Sequence, residues 1–259
     1  MVVTHPQVLE YRVERTMQCK INLLMEYGVR PQDIPKLITR APNLFALAVE
    51  KSLKPRINYL LEEVGVDRAV IGEVITRHPL LLTNSVTETM TPRVEFLREL
   101  GVSREGVAKM VTRHPQILHY KIESMLPRLR YLQSIGMKEE DIILCVSRLS
   151  QIFSLSVDNS LRPKFEYLKS HLGGTVTTVT KYPAYFSLSL EKRIKPRHLI
   201  LLERGRCKLP FPMKWFSMKD EEFADKVAGV TVEEFYAFRD RLLLKEFERK
   251  NSLSKEFER

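Results

Sequence analysis

A unit of about 36 residues is repeated along the chain, and this repetition constrains the fold more than any other feature. One copy spans residues 92–118, with an opening motif at 92–97, a glycine turn at Gly101 and a closing motif at 113–118. The closing motif recurs at spacings of 36, 37, 36, 35 and 33 residues, and the opening motif recurs in step with it. Two motifs that share one period define a repeat protein, in which neighbouring units bury each other's apolar faces.

The copies differ most at the two ends of the repeat region. The closing copies lie at residues 4–9, 40–45, 77–82, 113–118, 148–153 and 181–186. The opening copies lie at residues 53–60, 90–97, 125–132, 161–168 and, more weakly, 194–201, after a degenerate copy at 18–24 that lacks the proline.

Each unit is predicted to form two helices and a short turn. Apolar residues two before and two, four and five after the opening proline follow a helical period. A glycine caps this helix, and the second helix begins one residue after the turn, at Asp67, Ser103 or Lys138, the first two being plausible N-caps. It ends before the closing proline, which begins a 3₁₀ turn. The expected fold is all-α, a superhelical α-solenoid with a concave surface.

The repeats end near residue 204, and the composition changes there. We expect residues 1–204 to form the solenoid and residues 205–259 to form a linker followed by a helical cap. Helical stretches at about 219–226 and 231–250 would supply the atypical end that a solenoid needs.

The charge distribution favours a polyanionic partner. The net charge is +10, and residues 1–218 carry +12 while the remainder carries −2, so the positive charge belongs to the repeats. A basic excess on a folded scaffold is typical of nucleic-acid binding. The alternative is a soluble protein whose basic residues are scattered over its surface.

The length of the apolar runs and the spacing of the cysteines limit the class of protein. No apolar run is long enough for a membrane span, and the three cysteines are far apart without a CxxC pair, which favours a reducing compartment. Residues 4–9 read as the close of a repeat, so a targeting segment is expected to lie outside this sequence. We expect a monomer.

Enzyme motifs are missing. The sequence contains no P-loop, dinucleotide, HExxH or GxSxG pattern, and the acidic residues show no pairing. The histidines recur because the repeat recurs; four of them are His5, His78, His114 and His119. We therefore expect no enzymatic activity, no metal and no cofactor.

Two rows of basic residues are the candidate site. The opening row follows the opening proline directly and comprises Arg56, Arg93, Arg128, Lys164 and Arg197. The closing row stands two residues before the closing proline, or before the serine that replaces it once, and comprises Arg40, Arg77, Arg113, Arg148 and Lys181. Both rows are predicted to contact nucleic-acid phosphates.

Each row also has a structural explanation. The closing row lies in the last turn of a helix, where a cation offsets the helix dipole by about 0.3–1 kcal/mol. The opening row is harder to explain: if the proline is the first helical residue, a cation follows where the dipole disfavours it, within the apolar arc, and a bound phosphate would reverse that penalty. The alternative is a helix that starts near the serine or threonine three residues earlier and continues through the proline.

Aromatic residues recur four positions after the opening proline, at Tyr59, Phe96, Tyr131 and Tyr167. Base stacking is one interpretation, but their helical core spacing favours packing.

The two proline motifs and the glycine turn resemble the mitochondrial transcription termination factor (mTERF) family over residues 1 to about 204. Other helical repeats of this length lack the two prolines. The resemblance implies a solenoid of two α-helices and a 3₁₀ turn per repeat, in non-enzymatic proteins of mitochondria and chloroplasts that bind double-stranded DNA or structured RNA. Thr4, the opening copy without proline and Ser150 depart from the pattern, which puts the ends of the binding track in question.

We therefore expect an organellar regulator of gene expression, in a chloroplast or a mitochondrion, that binds double-stranded DNA in transcription termination. RNA binding in intron splicing or ribosome assembly is the first alternative. A protein-interaction scaffold, docking an organellar partner through the solenoid or the region of Trp215, is the second.

Overall fold

The computed structural model describes residues 17–257, with side chains through Glu248. All regular structure in this range is helical, which confirms the all-α repeat architecture. The first closing copy, at residues 4–9, lies outside the described residues. Contacts divide the chain into two compact units: one extends to residue 130 and includes 138–153, and the other includes 131–137 and continues from residue 154.

The second helix of each repeat is a short α-helix that ends at a closing-row residue. These helices are α2 (Ile34–Arg40), α4 (Ile71–Arg77), α6 (Arg104–Arg113), α8 (Glu139–Arg148) and α10 (Val176–Lys181). Ser103 is the N-cap of α6, and its Oγ accepts a hydrogen bond from the Gly106 N–H at 3.1 Å. A 3₁₀ turn follows each helix, as predicted, at Pro42–Ala46, Pro79–Thr83, Pro115–Leu118, Ser150–Ser154 and Pro183–Ser187.

The first helix of each repeat begins well before its proline. The α-helical parts are α1 (Gln18–Glu26), α3 (Lys54–Asn58), α5 (Thr91–Glu99), α7 (Ile122–Ser134), α9 (Arg162–His171) and α11 (Lys195–Glu203). A wide π-helical turn precedes four of them, at Val49–Leu53, Val86–Met90, Val157–Leu161 and Leu190–Ile194. Of the two starts that the sequence leaves open, the structure has the helix that continues through the proline, and this helix begins about three residues before the serine or threonine of that alternative.

The wide turn is how the helix passes through its proline. A proline has no N–H and its ring crowds the carbonyl four residues back. Before Pro92, the Met90 N–H bonds the Ser85 carbonyl five residues back at 3.0 Å, and the Ser85 side chain caps the Glu88 N–H at 3.2 Å. Since the helix starts about six residues before the proline, the cation after the proline is not in the first turn and meets no dipole penalty there.

The core is built from the positions that the period predicts. The residues two before the proline are fully buried: Leu53, Met90, Met125, Leu161 and Ile194. The residues five after it are fully buried as well: Leu60, Leu97, Leu132, Leu168 and Leu201. The second helices add the rest of the packing in the first unit, where α4 contacts α6 and α6 contacts α8.

The C-terminal segment is helical after an irregular stretch at residues 205–213. It contains α12 (Lys214–Ser217), α13 (Asp220–Phe223) and α14 (Val232–Phe257). Phe235 and Phe238 on α14 are buried, and α14 packs against α11. The helices predicted near residues 219 and 231 are thus present, while the boundary at residue 204 stays a prediction. No helix in the described range is long and apolar enough to cross a membrane.

Candidate nucleic-acid interface

The two basic rows differ sharply in exposure. Every side chain of the closing row is exposed. The opening row is progressively buried: Arg56, Arg93 and Arg128 are half-buried, Lys164 is 7% exposed and Arg197 is 0% exposed. The sequence treats the rows alike, whereas the fold separates them.

Opening-row residues hold the end of the following 3₁₀ turn. The Arg56 Nε donates to the Asn84 carbonyl at 2.7 Å, and the Arg93 Nε donates to the Tyr120 carbonyl at 3.2 Å. The Lys164 Nζ reaches the Phe186 carbonyl at 2.6 Å. A short helical turn leaves its last carbonyls without backbone donors, and these cations supply them.

The arginines of this row also repair the turn that the proline interrupts. Nη1 of Arg56 donates to the Ser52 carbonyl at 2.8 Å, and Nη1 of Arg93 donates to the Glu88 carbonyl at 3.1 Å. Both acceptors lie three or four residues before the proline. The cation therefore stands in the apolar arc because two sets of backbone carbonyls need a long donor there.

Arg128 is the third such arginine. Its Nη1 donates to the Ser124 carbonyl at 2.6 Å, again three residues before the proline. Sequence reasoning missed one further member of the row, Lys20, which occupies the equivalent place in the copy without proline. Lys20 is 4% exposed and donates to the Phe45 carbonyl, and burial lowers its pKa. The repeat register alone could have identified it.

Arg197 ends the row in a buried network. It donates to the carbonyls of Trp215 and, at 2.8 Å, Met218, and it pairs with the Asp220 carboxylate at 2.5 Å. Arg193 and Arg239 also lie within 4 Å of the Asp220 carboxylate. Burial lowers the pKa of Arg197, and the hydrogen bond to Asp220 opposes that effect. This residue fastens the C-terminal segment to the last repeat.

These contacts favour a structural role for the opening row. Lys164 and Arg197 are buried and bonded within the protein, which leaves them no surface from which to reach a phosphate. The half-buried arginines direct their donors toward carbonyls. The nucleic-acid role of this row stays a prediction, and the closing row is the stronger candidate for the interface.

Closing-row residues are mostly without partners. Within the described part of the chain, no hydrogen bond or ion pair involves the side chains of Arg40, Arg113, Arg148 or Lys181. Arg77 is the exception, since its Nη1 donates to the Thr112 carbonyl at 2.6 Å at the end of α6. The row therefore places exposed guanidinium and ammonium groups at the ends of successive second helices.

A groove between α2 and α4 brings two members of the closing row together. It has a volume of about 550 Å³, and Arg40 and Arg77 both line it. Arg30 and Lys36 add positive charge, against Asp33 and Glu73. Arg30 and Asp33 form an ion pair at 2.7 Å. The other cations of the groove, Lys36, Arg40 and Arg77, are therefore the ones that a bound anion would contact.

Glycine makes this groove possible. A Cβ added to Gly72 on α4 would lie 2.2 Å from the backbone carbon of Gly28, closer than any real contact. The backbones of the two repeats therefore touch at the groove, and only glycine fits at residue 72.

A second groove, of about 370 Å³, lies between α6 and the turn at residues 65–70 that precedes α4. Arg113 lines it, together with Asp67 and the ion-paired Lys109 and Glu105, whose charged atoms are 2.6 Å apart. It carries less uncompensated positive charge than the groove between α2 and α4, which makes the first groove the stronger anion site of the two.

The recurring aromatic residues pack and do not form an exposed stacking platform. Tyr131 is buried, while Tyr59, Phe96 and Tyr167 are half-buried. The Tyr167 hydroxyl is hydrogen-bonded to His198 Nδ1 at 2.7 Å. Burial raises the pKa of Tyr131 to about 12.

The histidines of the closing motif are structural too. His78 Nε2 is buried without a partner, and its ring packs edge-on against His119 at 5.0 Å. Burial, aided by the neighbouring histidines, lowers the pKa of His78 to about 4. No group of three potential metal ligands occurs among the described residues, and His5 lies outside them.

The comparisons with known proteins decide the family. A profile of the mTERF family matches residues 1–224. The chain belongs to the mTERF family. This match covers all the repeats and extends into the C-terminal helices.

Two curated mTERF proteins of Arabidopsis thaliana are similar to parts of the chain. Transcription termination factor MTERF2, chloroplastic, is 41% identical over 73 residues, which are 28% of this chain and 11% of that protein. Transcription termination factor MTERF9, chloroplastic, is 43% identical over 98 residues, which are 38% of this chain and 20% of that protein. The matches thus span only a small part of the length of these relatives.

Proposed function

We propose that this mTERF protein is an organellar regulator of gene expression that grips the phosphate backbone of a duplex nucleic acid with its closing row. The observation that carries the proposal is the contrast between the rows: the closing row is exposed and largely unpartnered, whereas the opening row is bonded to backbone carbonyls. The groove between α2 and α4, with Arg40 and Arg77, is the strongest phosphate site in this proposal.

Duplex nucleic acid suits the site better than an unpaired strand. Proteins that bind single strands combine a basic groove with exposed aromatic side chains on which bases stack. The recurring aromatic residues of these repeats are packed, and the closing row offers point charges alone. Phosphate contacts give affinity and salt dependence without reading base sequence.

The names of the relatives support transcription termination in a chloroplast as the first assignment. Double-stranded DNA is then the first substrate to test. The same cations would also contact A-form RNA, because they meet phosphates rather than bases. Structured RNA is therefore the second substrate.

The test replaces Arg40, Arg113 and Arg148 together by alanine and measures binding to matched duplex DNA and duplex RNA. If each exposed contact is worth about 0.5–1 kcal/mol, affinity falls roughly 10- to 100-fold. The control removes three exposed cations of the first helices, Lys51→Ala, Arg130→Ala and Lys169→Ala, with the same loss of charge.

Three outcomes distinguish the possibilities. A loss confined to the closing-row variant supports the proposed interface, and the tighter of the two duplexes identifies the substrate. An equal loss in both variants would mean that net charge alone governs binding. Unchanged affinity of the closing-row variant, with intact helical content, would refute the assignment.

A further inference from the structure

The loop that ends α11 keeps the backbone of the earlier glycine turns but changes their chemistry. Gly205 is left-handed at φ +64°, and the Arg206 N–H bonds the Leu201 carbonyl at 2.8 Å. Such turns commonly bury an apolar residue after the glycine. In four earlier repeats the residue at this place is apolar and at most 3% exposed: Val29, Val66, Val102 and Met137. Arg206 is exposed instead.

Cations dominate this loop. Three of the five residues from Arg204 to Lys208 are basic and none is acidic, and all three basic side chains are exposed. An irregular stretch follows α11 where the earlier repeats have a second helix, so no buried apolar residue is needed at this turn. That explains why valine is dispensable there, but any small polar residue would serve equally well. The run of cations needs another reason.

The basic side chains of the loop are unused within the described part of the chain. No hydrogen bond or ion pair there involves Arg204, Arg206 or Lys208 through its side chain. The Arg206 guanidinium lies against the backbone of Gly229, where an added Cβ would collide with it. Arg68, after an earlier glycine turn, instead donates to the Glu26 carbonyl at 3.3 Å. That arginine joins two repeats, whereas the loop cations join nothing.

The loop and the closing motif at residues 181–186 lie at opposite ends of α9. Just after the loop, the Phe211 N–H bonds the Leu172 carbonyl at the end of α9 at 2.8 Å. The Phe186 carbonyl, in the closing motif, accepts from Lys164 near the start of α9 at 2.6 Å. Lys164 and Leu172 are about 12 Å apart along the helix axis. One phosphate group cannot meet both ends, whereas a strand that carries a phosphate about every 3.4 Å can.

We infer that the loop Arg204–Lys208 is a second phosphate-binding surface for the duplex that the closing row contacts. The inference rests on the proposed function, since that row supplies the first contact. A guanidinium presents a planar fork of donors that matches a phosphate, and Lys208 adds a point charge. An anionic membrane is the other polyanion that such a loop could meet. Leu209 is 64% exposed, but Phe211 and Phe216 are buried, so little apolar surface is available to insert into lipid.

Duplex DNA binding by variants of the full chain tests the inference. The loop variant, Arg204→Ala with Arg206→Ala and Lys208→Ala, should bind about 10- to 100-fold more weakly. Its slope of log affinity against log salt concentration should be shallower by about 2.7. Arg204→Lys with Arg206→Lys keeps the charge and should keep the wild-type slope. The matched control removes three exposed cations from the helices that follow, and it should also keep the wild-type slope: Lys219→Ala, Lys226→Ala and Lys245→Ala.

The variant that lacks Arg40, Arg113 and Arg148 separates this inference from the proposed function. If that variant loses affinity and the loop variant does not, the inference is overturned and the proposed function stands. If only the loop variant loses affinity, the proposed function fails, and the shared duplex fails with it.

Two further results would overturn the inference. An equal loss of affinity in the matched control would mean that net charge alone governs binding. A loop variant that keeps its duplex affinity but no longer binds vesicles of phosphatidylcholine mixed with phosphatidylglycerol would assign the loop to a membrane surface. A loss of duplex affinity confined to the loop and closing-row variants, with helical content unchanged, would support it.

Discussion

Replacing Asp220 by asparagine should destabilise the C-terminal segment strongly. The Asp220 carboxylate is the acidic partner of Arg197, which is 0% exposed, and also lies near Arg193 and Arg239. Asparagine keeps the size and one acceptor oxygen but removes the charge. The guanidinium of Arg197 would then remain buried next to two other cations without a counter-ion.

The expected cost is about 3 kcal/mol in the free energy of unfolding. Removing one partner of a buried ion pair costs about 3–5 kcal/mol, because the other charge is left uncompensated. The Asp220 side chain is 21% exposed, so partial solvent screening places the value at the lower end of that range.

Urea unfolding followed by tryptophan fluorescence is a direct assay. Trp215 is the single tryptophan, and its carbonyl accepts a hydrogen bond from Arg197, so the probe sits at the perturbed site. Circular dichroism in the same samples reports on the repeats. Asp225→Asn, at an exposed position of the same segment, is the control and should change stability by less than about 0.5 kcal/mol.

If Asp220→Asn lowers the free energy of unfolding by less than about 1 kcal/mol, the reasoning is refuted, since the buried Arg197 would then be stable without its counter-ion. A second variant separates charge burial from packing. Replacing both partners, Arg197→Met with Asp220→Leu, should cost less than the single change, because the fully buried cation is removed and the cations that remain, Arg193 and Arg239, are partly exposed to water.

Three further predictions concern the repeats. Lys164→Met should lower stability by about 1–3 kcal/mol in chemical unfolding, because the Phe186 carbonyl loses a buried donor, whereas Lys169→Met, on the surface, should be near neutral. Gly72→Ala should cost about 1–3 kcal/mol or more, since its Cβ would collide with backbone; a stable variant would show that the two repeats can separate there. The folded-state pKa of His78 is about 4, below its usual 6.5, so the unfolded chain binds more protons between these values and stability falls as the pH drops through them. This effect lowers the free energy of unfolding by up to about 3 kcal/mol. His78→Phe should make stability depend less on pH, which thermal melts between pH 7 and pH 4 would measure.

The helix boundaries show how far the sequence could be read. The two motifs and the glycine turn predict the helices, the 3₁₀ turns and the buried positions, because each is set by local chemistry. The start of the first helix is different. A proline such as Pro92 normally marks the start of a helix. Here the capping residue, Ser85, lies seven residues earlier, and the π-helical turn Val86–Met90 makes room for the proline ring. Nothing local distinguishes the two solutions without knowledge of where Ser85 points.

The candidate site was predictable in part for a related reason. Both rows recur with the repeat, so the sequence identifies Arg93 and Arg113 equally well. Whether each side chain is bonded within the protein or exposed depends on contacts between residues that are far apart in the chain, such as the hydrogen bond from Arg93 to the Tyr120 carbonyl. Pattern reasoning noticed that the opening cation lies in an apolar arc and assigned it to an external anion. The fold offers carbonyl oxygens of its own.

The salt dependence of duplex DNA binding tests the central claim most directly. Each phosphate that the protein no longer neutralises should make the slope of log affinity against log salt concentration shallower by about 0.9. The variant that lacks Arg40, Arg113 and Arg148 should therefore have a slope shallower than wild type by about 2.7, while the variant that lacks Lys51, Arg130 and Lys169 keeps the wild-type slope. An unchanged slope in the closing-row variant, with folding intact, would contradict the account.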